Sequence, residues 1–446
     1  MTGGEISGET RTRATSTSEK LVRAVGFWGL VAMCINAVVG SGVFLLPSES
    51  YKLLGPFSLW APLIFALPVF ILVLCFAEAA SHFREPGGAY LYARTAFGEF
   101  IGFETGWMNW LARVTSLASL SNGFVVALAL LFPVAGQGAP RAAIIVGLIV
   151  SLAVIHFIGV RYGAASIYLF TWGKLLPLLA FIVVSLIVFR QNPIPGSLTL
   201  PPAGTDWNSA ALFMLFAYAG FENLGVPAGE YKNPQRHLPW ALLTGILCIA
   251  IIYVLAQLGA MASLPDLSST DTAIASAAQA IVGPAGAILV TVGSILSMAG
   301  TNSGTMLEGS RMLYALSLER PRLRFISAVH DRFRTPSAAI AIHATLALAI
   351  ALFSDFATLA KFSAVARLAT YLFTAASVPF LRRKLGTAAG FRLPGGPVIP
   401  ILGVLVALLI VVTLDRTRLL LGAIAVVLGV IVYVAAPRTA AGSSAR

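Results

Sequence analysis

An all-α integral membrane protein of about twelve transmembrane helices is the fold this sequence predicts, and three observations predict it. The chain is 58% hydrophobic and only 11% charged, where an ordinary soluble domain carries about 25% charged residues. Apolar runs of membrane-crossing length, about 20 residues each, recur from end to end. Two of those runs are interrupted at mid-depth by small residues, at Val38-Val39-Gly40-Ser41-Gly42-Val43-Phe44 and at Phe216-Ala217-Tyr218-Ala219-Gly220-Phe221-Glu222. A length of 446 residues would otherwise suggest roughly two or three soluble domains, and the repeated apolar runs override that count.

Taken in order, the chain starts with a polar, Ser/Thr-rich stretch from Met1 to about Thr17. It lacks the contiguous apolar region of a cleaved signal peptide and reads as disordered. Spans follow at Val25–Ser50, Pro56–Ala80, Tyr90–Phe132, Ala142–Val160 and Ala164–Phe189. The third is longer than one crossing requires, so it is expected to tilt or to extend beyond the bilayer. A Pro-rich outer connection, Asn192 to Asp206, leads to spans at Trp207–Tyr231, Leu238–Leu264 and Ala280–Leu318. Four more complete the set, at Ala338–Phe353, Phe356–Leu381, Pro400–Leu414 and Leu419–Ala436. The three cysteines, Cys34, Cys75 and Cys248, lie inside spans, a pattern that makes neither a disulfide framework nor a thiolate metal site.

A formal net charge of +12 could be the footprint of a nucleic-acid binder, but its placement argues against that. Arg11, Arg13, Lys20 and Arg23 precede the first span, and Arg84 and Arg94 flank the loop after the second. Arg161 follows the fourth, and Lys232 and Arg236 follow the sixth. Arg320, Arg322, Arg324, Arg332 and Arg334 crowd the loop after the eighth, and Arg382, Arg383, Lys384 and Arg392 that after the tenth. If the spans alternate, all of these fall on one side, as the positive-inside rule requires. The opposite loops are poor in Lys and Arg, and the one after the seventh span carries Asp266 and Asp271. Both termini are therefore expected in the cytoplasm.

Glycines at mid-depth weaken a helix, because they contribute no packing and let the backbone leave the α region. Unwound backbone survives in hydrocarbon only where protein or a water-filled cavity covers its N–H and C=O groups. The two breaks fall in the first and sixth spans, which are corresponding positions if the first ten spans form two halves of five. Such a pair is the sequence pointer to the substrate site of a secondary transporter, so the chain is expected to move a small solute.

Several motifs carry a family resemblance. Gly40-Ser41-Gly42-Val43-Phe44 resembles the glycine-rich break in the first helix of the amino acid–polyamine–organocation transporters. Pro86-Gly87-Gly88-Ala89-Tyr90, followed by Gly106-Trp107, is similar to that family's approach to its third helix. Phe216 to Glu222 is similar to its helix-six break, and Glu230-Tyr231-Lys232-Asn233-Pro234-Gln235-Arg236 with Pro239 to its exit from that helix. Arg311-Met312-Leu313-Tyr314-Ala315 and Thr335-Pro336 resemble the passage from helix eight to nine. The resemblance runs in order from about residue 21 to 436. It implies the five-plus-five inverted-repeat (LeuT-like) fold with two appended helices. Residues 1–20 would be a disordered cytoplasmic N-terminus, 21–190 the first repeat, 191–385 the second, 386–437 helices eleven and twelve, and 438–446 a cytoplasmic tail.

The N-terminal end of a half-helix presents free N–H groups and partial positive charge, a site for a carboxylate. The candidates at the first break are Val39, Gly40, Ser41 and Gly42, with the Ser41 N–H and hydroxyl and the Gly42 N–H foremost. Close packing between helices is the alternative reading of Gly40 and Gly42. The resemblance assigns the second break, Phe216, Ala217, Tyr218, Ala219 and Gly220, the opposite polarity: the carbonyls of Phe216, Ala217 and Ala219 would accept from a substrate ammonium, and Phe216 would gate the site. Ordinary aromatic packing is the alternative for Phe216 and Tyr218. Together the two breaks suit the zwitterionic head of an α-amino acid.

Lys174 lies mid-span, in Phe170-Thr171-Trp172-Gly173-Lys174-Leu175-Leu176-Pro177. An intramembrane lysine costs about 2.5–3.5 kcal/mol on insertion scales and is expected to have a partner or a task. Pro177 leaves the carbonyl of Gly173 without its helical donor, and burial disfavours the charged form of a lysine, which makes reversible protonation possible. The resemblance places Lys174 where proton-coupled relatives carry a lysine in the space that sodium-coupled ones give to an ion. A fixed cation held by backbone carbonyls is the alternative. Glu222, just past the second break, is a second proton-coupling candidate or else structural. Arg113 and Arg367 are further intramembrane charges, Arg113 lining the cavity or pairing with an acid such as Glu104. Glu308 and Arg311, three apart, suit a local ion pair, and Glu78 and Arg94 suit the inner mouth.

Around Leu117, Ala118 and Leu120 the third span is apolar, which favours neutral amino acids, although Glu222 or Glu49 could serve a cationic substrate or a polyamine in an antiporter. The expected activity is secondary transport of amino acids by alternating access, by proton symport or by exchange, in the cell membrane. No cofactor, metal or nucleic acid is implied. The histidines His82, His156, His237, His330 and His343 have no metal-ligand spacing, and neither a P-loop nor a nucleophile elbow is present, so an enzyme is not expected. A sensor that binds an amino acid without carrying it would need a larger soluble output region than these termini provide.

Overall fold

The computed structural model describes residues 25–85, 87–159, 163–189, 198–201, 203–226, 228, 231–318, 320–388 and 390–437, with the backbone alone at 163–169, 171, 188 and 189. The expectations for the N-terminal stretch, Arg11, Arg13, Lys20, Arg23, Pro86, Arg161, Glu230, the tail from 438 and residues 192–197 and 202 of the Pro-rich connection lie outside the described residues. Among the described residues, regular structure is helical apart from one parallel bridge between Val25 and Tyr231.

The first span is two helices, α1 (Phe27–Val38) and α2 (Gly42–Leu54), separated at Val39 to Ser41. After a 3-10 segment comes α3 (Ala61–Ser81). The third span also divides, into α4 (Gly88–Phe97) and a 31-residue α5 (Glu99–Ala129). Its excess length is thus explained by a corner at Gly98, where φ 94° and ψ −174° suit only glycine. α5 alone is roughly 46 Å long, more than the bilayer core of about 30 Å. Arg94 and Glu99 pair at 2.8 Å across the corner.

α6 (Gly138–Ile158) and α7 (Gly163–Phe189) follow, then the short α8 (Trp207–Ala217), which gives way to a turn and a 3-10 segment at Phe221–Asn223. α9 (Pro234–Ser263) is continuous. The eighth span divides as the third does: α10 (Ala273–Val282) turns at Gly283, with φ 80° and ψ −163°, into the 34-residue α11 (Pro284–Ser317). The long helices of spans three and eight are therefore each preceded by a ten-residue helix and a glycine corner of nearly the same geometry. The start read at Ala280 falls inside α10, because an apolar run continues through a glycine corner that hydropathy cannot register.

α12 (Ser337–Phe353), α13 (Phe356–Leu385), α14 (Val398–Val412) and α15 (Arg416–Ala435) complete the chain. Asp206, Asp355 and Asp415 cap α8, α13 and α15, accepting from backbone N–H groups three residues on at 2.8–2.9 Å, and so satisfy donors that a helix start leaves free. At its other end α13 carries Arg382, Arg383 and Lys384, which complement the negative end of the helix dipole.

Among the described residues, seven helical stretches are long and apolar enough to cross a membrane by themselves, with α2 and α3 counted together, and six shorter apolar helices accompany them. α15 turns Leu420, Val427 and Val434 outward, as a lipid-facing helix does. Inside, α5 packs along α11 and α13, and α7 along α11 and α9. With no hydrophobic drive between helices in lipid, close approach depends on small residues. Gly293 and Gly300 leave α11 room for Pro177 and Phe170 of α7, and this contact brings Lys174 toward the first break.

Candidate functional site

The first break is the end of one helix facing the start of another. α1 closes with Val39 N–H donating to the Ile35 carbonyl at 2.8 Å, and α2 opens at Ser41 without a side-chain cap. The Ser41 carbonyl accepts from Phe44 and Leu45 at 3.1 and 3.0 Å, which leaves the first N–H groups of α2 directed into the break. The Ser41 hydroxyl is buried and has no hydrogen-bond partner among the described residues.

The carbonyls at the end of α1 are covered instead by side chains from three other helices. Lys174 of α7, fully buried, donates to Asn36 O at 2.6 Å and to Val39 O at 2.7 Å. Ser297 of α11 donates to Val39 O at 3.3 Å and Gly40 O at 3.1 Å, and the Tyr253 hydroxyl of α9 reaches Val38 O at 3.3 Å. A cation at a helix C-terminus meets both the free carbonyls and the negative end of the dipole. Lys174 thus has its partners on α1, whereas the Gly173 carbonyl freed by Pro177 faces Gly293.

The second break closes on itself more. Tyr218 N–H still bonds Met214 O at 3.0 Å, and Ala219 N–H bonds Phe216 O at 3.1 Å. Gly220 then sits at φ 126°, where a Cβ would be strained. Of the three carbonyls expected to face a substrate ammonium, Phe216 O accepts from Ala219 and Ala217 O accepts from Tyr253 at 2.7 Å. Ala219 O carries no hydrogen bond among the described residues. Tyr218 turns its hydroxyl to Pro62 O at 2.7 Å and packs at 5.2 Å on Tyr253. Phe216 meets Phe356 edge-on at 6.2 Å. Phe356 also borders a cavity of about 430 Å³ lined by Asn122, Arg141, Asp271 and Asp355.

The two breaks touch. A Cβ on Gly42 would lie 3.0 Å from the Ala217 Cα, and one on Gly220 2.5 Å from the Ala37 carbonyl. Gly42 thus lets the two breaks pack closely. At Gly40 a Cβ would find only ordinary contacts, 3.4 Å from Thr301 and 3.6 Å from Leu120.

Below the second break lies a buried cluster of charge. Glu222 pairs with Arg113 at 2.5 Å and with Arg367 at 2.8 Å, accepts from Gly220 N–H at 2.8 Å and from Tyr371 at 3.4 Å. Arg113 continues to Glu308 at 3.2 Å, and Arg367 to Ser116 at 2.8 Å and to Ser363. Arg113 thus takes Glu222 and Glu308 as partners and not Glu104, whose carboxylate packs over Gly429 of α15. Glu308 reaches across to Arg113 of α5. Glu78 is held by Arg382 at 2.6 and 2.7 Å, and Glu49 by Lys52 at 3.0 Å. Leu117, Ala118 and Leu120 are buried.

Sequence reading singled out Lys174, Glu222, Arg113 and Arg367, because an ionisable residue in an apolar run stands out. It missed Tyr253, Ser297 and Thr301, since lone hydroxyls in apolar helices are common and only the fold aims them at a break.

A polytopic bundle of apolar helices, with two broken helices meeting in its interior, has the architecture of a membrane transporter. A sequence profile for the amino acid permease family matches residues 25–417, and the chain belongs to that family. It is similar to the serine/threonine exchanger SteT of Bacillus subtilis, at 30% identity over 395 residues that cover 86% of this chain and 89% of the relative. It also resembles the branched-chain amino acid permease BcaP of Bacillus subtilis (24% identity, 94% of each chain) and the methylthioribose transporter of that organism (25%, 94% of each). The protein is a secondary transporter of amino acids and not an enzyme.

Proposed function

We propose that this chain carries neutral amino acids across the cell membrane by alternating access, with movement linked to protons through Lys174. The observation that supports it most is the meeting of the two breaks, with free N–H groups of α2 and the Ser41 hydroxyl on one side and the Ala219 carbonyl on the other. The substrate carboxylate lies against the donors and its ammonium against the acceptor. Val39, Gly40, Gly42, Ala217 and Gly220 shape the place where this happens, and Phe216 with Phe356 separates it from the 430 Å³ cavity.

Lys174 is the coupling residue in this reading. As an ammonium it binds the end of α1 through two carbonyls, and loss of its proton weakens the charge–dipole attraction that holds α1 in place. Glu222 acts as a fixed anion between two guanidiniums and ties the second break to α5 and α13. The acids suggested for a cationic substrate, Glu222 and Glu49, are both engaged by cations within the protein, which favours neutral substrates. So do the names of the serine/threonine exchanger and the branched-chain permease among the relatives. The matching glycine corners before α5 and α11 support the division into repeats at 21–190 and 191–385, with helices eleven and twelve at 386–437. They join the placement of basic loops in supporting twelve crossings with both termini in the cytoplasm.

The test is uptake of labelled amino acids into proteoliposomes, with and without an inward proton gradient, for the wild type and Lys174→Ala. Gradient-stimulated uptake of neutral amino acids that the variant loses by at least about tenfold is the expected result. Gradient-independent uptake retained by the variant would reduce Lys174 to a structural cation, and preloading the vesicles with counter-substrate then measures exchange.

A further inference from the structure

Beside the first break, α11 presents Ser297, Thr301 and Thr305 at four-residue spacing, on one helical face. The Ser297 hydroxyl is used on Val39 and Gly40, and the Thr305 hydroxyl donates to Thr301 O at 2.9 Å. A threonine inside a helix commonly turns its hydroxyl back to the carbonyl four residues earlier. Thr105, Thr115 and Thr305 do so at 2.7, 2.9 and 2.9 Å. Thr301 does not. Its hydroxyl oxygen is buried and has no partner among the described residues, as is also true of Ser41.

These two orphaned hydroxyls flank one residue. Thr301 stands against Gly40, 3.4 Å from where a Cβ there would be, and Ser41 is the next residue in the chain. The opposite wall is Leu120, 3.6 Å from the same point. A buried hydroxyl without a partner costs free energy that a ligand group able to hydrogen-bond recovers. A ligand group beside Gly40 would lie between the Thr301 hydroxyl and Leu120.

We propose that Thr301 is a specificity-determining residue that hydrogen-bonds the side-chain hydroxyl of a small amino acid, so that the carrier prefers serine and threonine to analogues of equal size without the hydroxyl. This assignment rests on the carrier function proposed above and names the substrate class of the same site. Ser41 supplies its N–H and hydroxyl to the substrate carboxylate, and Thr301 reads the side chain. A site built to pair with a hydroxyl discriminates by leaving its own polar group unpaired when the analogue binds.

The experiment is counterflow in proteoliposomes with four labelled substrates, L-serine, L-alanine, L-threonine and L-2-aminobutyrate, for wild type, Thr301→Val and Thr301→Ser. The wild type is expected to take serine over alanine, and threonine over 2-aminobutyrate, by about fivefold to tenfold in apparent affinity. Thr301→Val, which keeps shape and removes the hydroxyl, should abolish that preference while still transporting alanine and 2-aminobutyrate. Thr301→Ser should retain it. A wild type that does not discriminate within either pair would overturn the assignment without any variant being needed. So would a Thr301→Val protein that discriminates as the wild type does. If none of the four substrates crosses with wild type, the carrier reading itself falls, and this assignment with it.

Discussion

The two breaks share a sequence signature, small residues in the middle of an apolar run, yet they solve the same problem in opposite ways. At the first, the Asn36, Val38, Val39 and Gly40 carbonyls are taken by side chains from elsewhere, Lys174, Ser297 and Tyr253, while the donors that begin α2 stay open. At the second, the chain satisfies itself through turn hydrogen bonds and a glycine at φ 126°, and the cluster around Glu222 anchors the 3-10 segment beyond that glycine. Unwound backbone in a membrane must be covered. The polarity of a site is set by which of its groups the rest of the protein leaves uncovered.

Glycine substitutions test that contrast most directly. Gly220→Ala places a Cβ at positive φ and against the Ala37 carbonyl, so it is expected to destabilise the protein by about 2–4 kcal/mol. Gly40→Ala meets only ordinary contacts and should stay within about 1 kcal/mol of wild type. Melting temperatures of the two variants in detergent measure the difference, and equal values would erase the distinction between a break pinned by packing and one that is open.

A larger cost still is expected of Glu222→Gln. It removes the anion between Arg113 and Arg367 and leaves two guanidiniums buried together, a change that costs about 3–5 kcal/mol when a buried pair is broken. The expected result is lower stability and slower transport with an unchanged response to the proton gradient. Loss of the gradient response with stability intact would instead make Glu222 a proton carrier and place coupling at the second break.

The smallest effect is expected at Tyr253→Phe. Among the described residues, this hydroxyl reaches a carbonyl of each break, Ala217 at 2.7 Å and Val38 at 3.3 Å. Its removal should cost about 1 kcal/mol and raise the apparent substrate affinity constant about fivefold, read from uptake as a function of concentration. An unchanged constant would show that the breaks hold their spacing through Gly42 and Gly220 alone.

Membrane class, helical fold and the location of both breaks were legible in the sequence, because hydropathy and interrupted apolar runs arise from a solvent that accepts no unpaired backbone. Lys174 and Glu222 were legible as residues too costly to be incidental. Partners were not: Lys174 binds Asn36 and Val39, 138 and 135 positions away in the chain, and Arg113 finds Glu222 and Glu308 where Glu104 lay nearer in sequence. Nor were the corners at Gly98 and Gly283 visible, since hydropathy averages over a change of direction. The tertiary structure alone decided which glycines pack and which leave room, and which hydroxyls remain unpaired, because these depend on distances between helices far apart in the chain. The sequence determined that backbone would be exposed in the membrane; the packing decided which of its groups a substrate can reach.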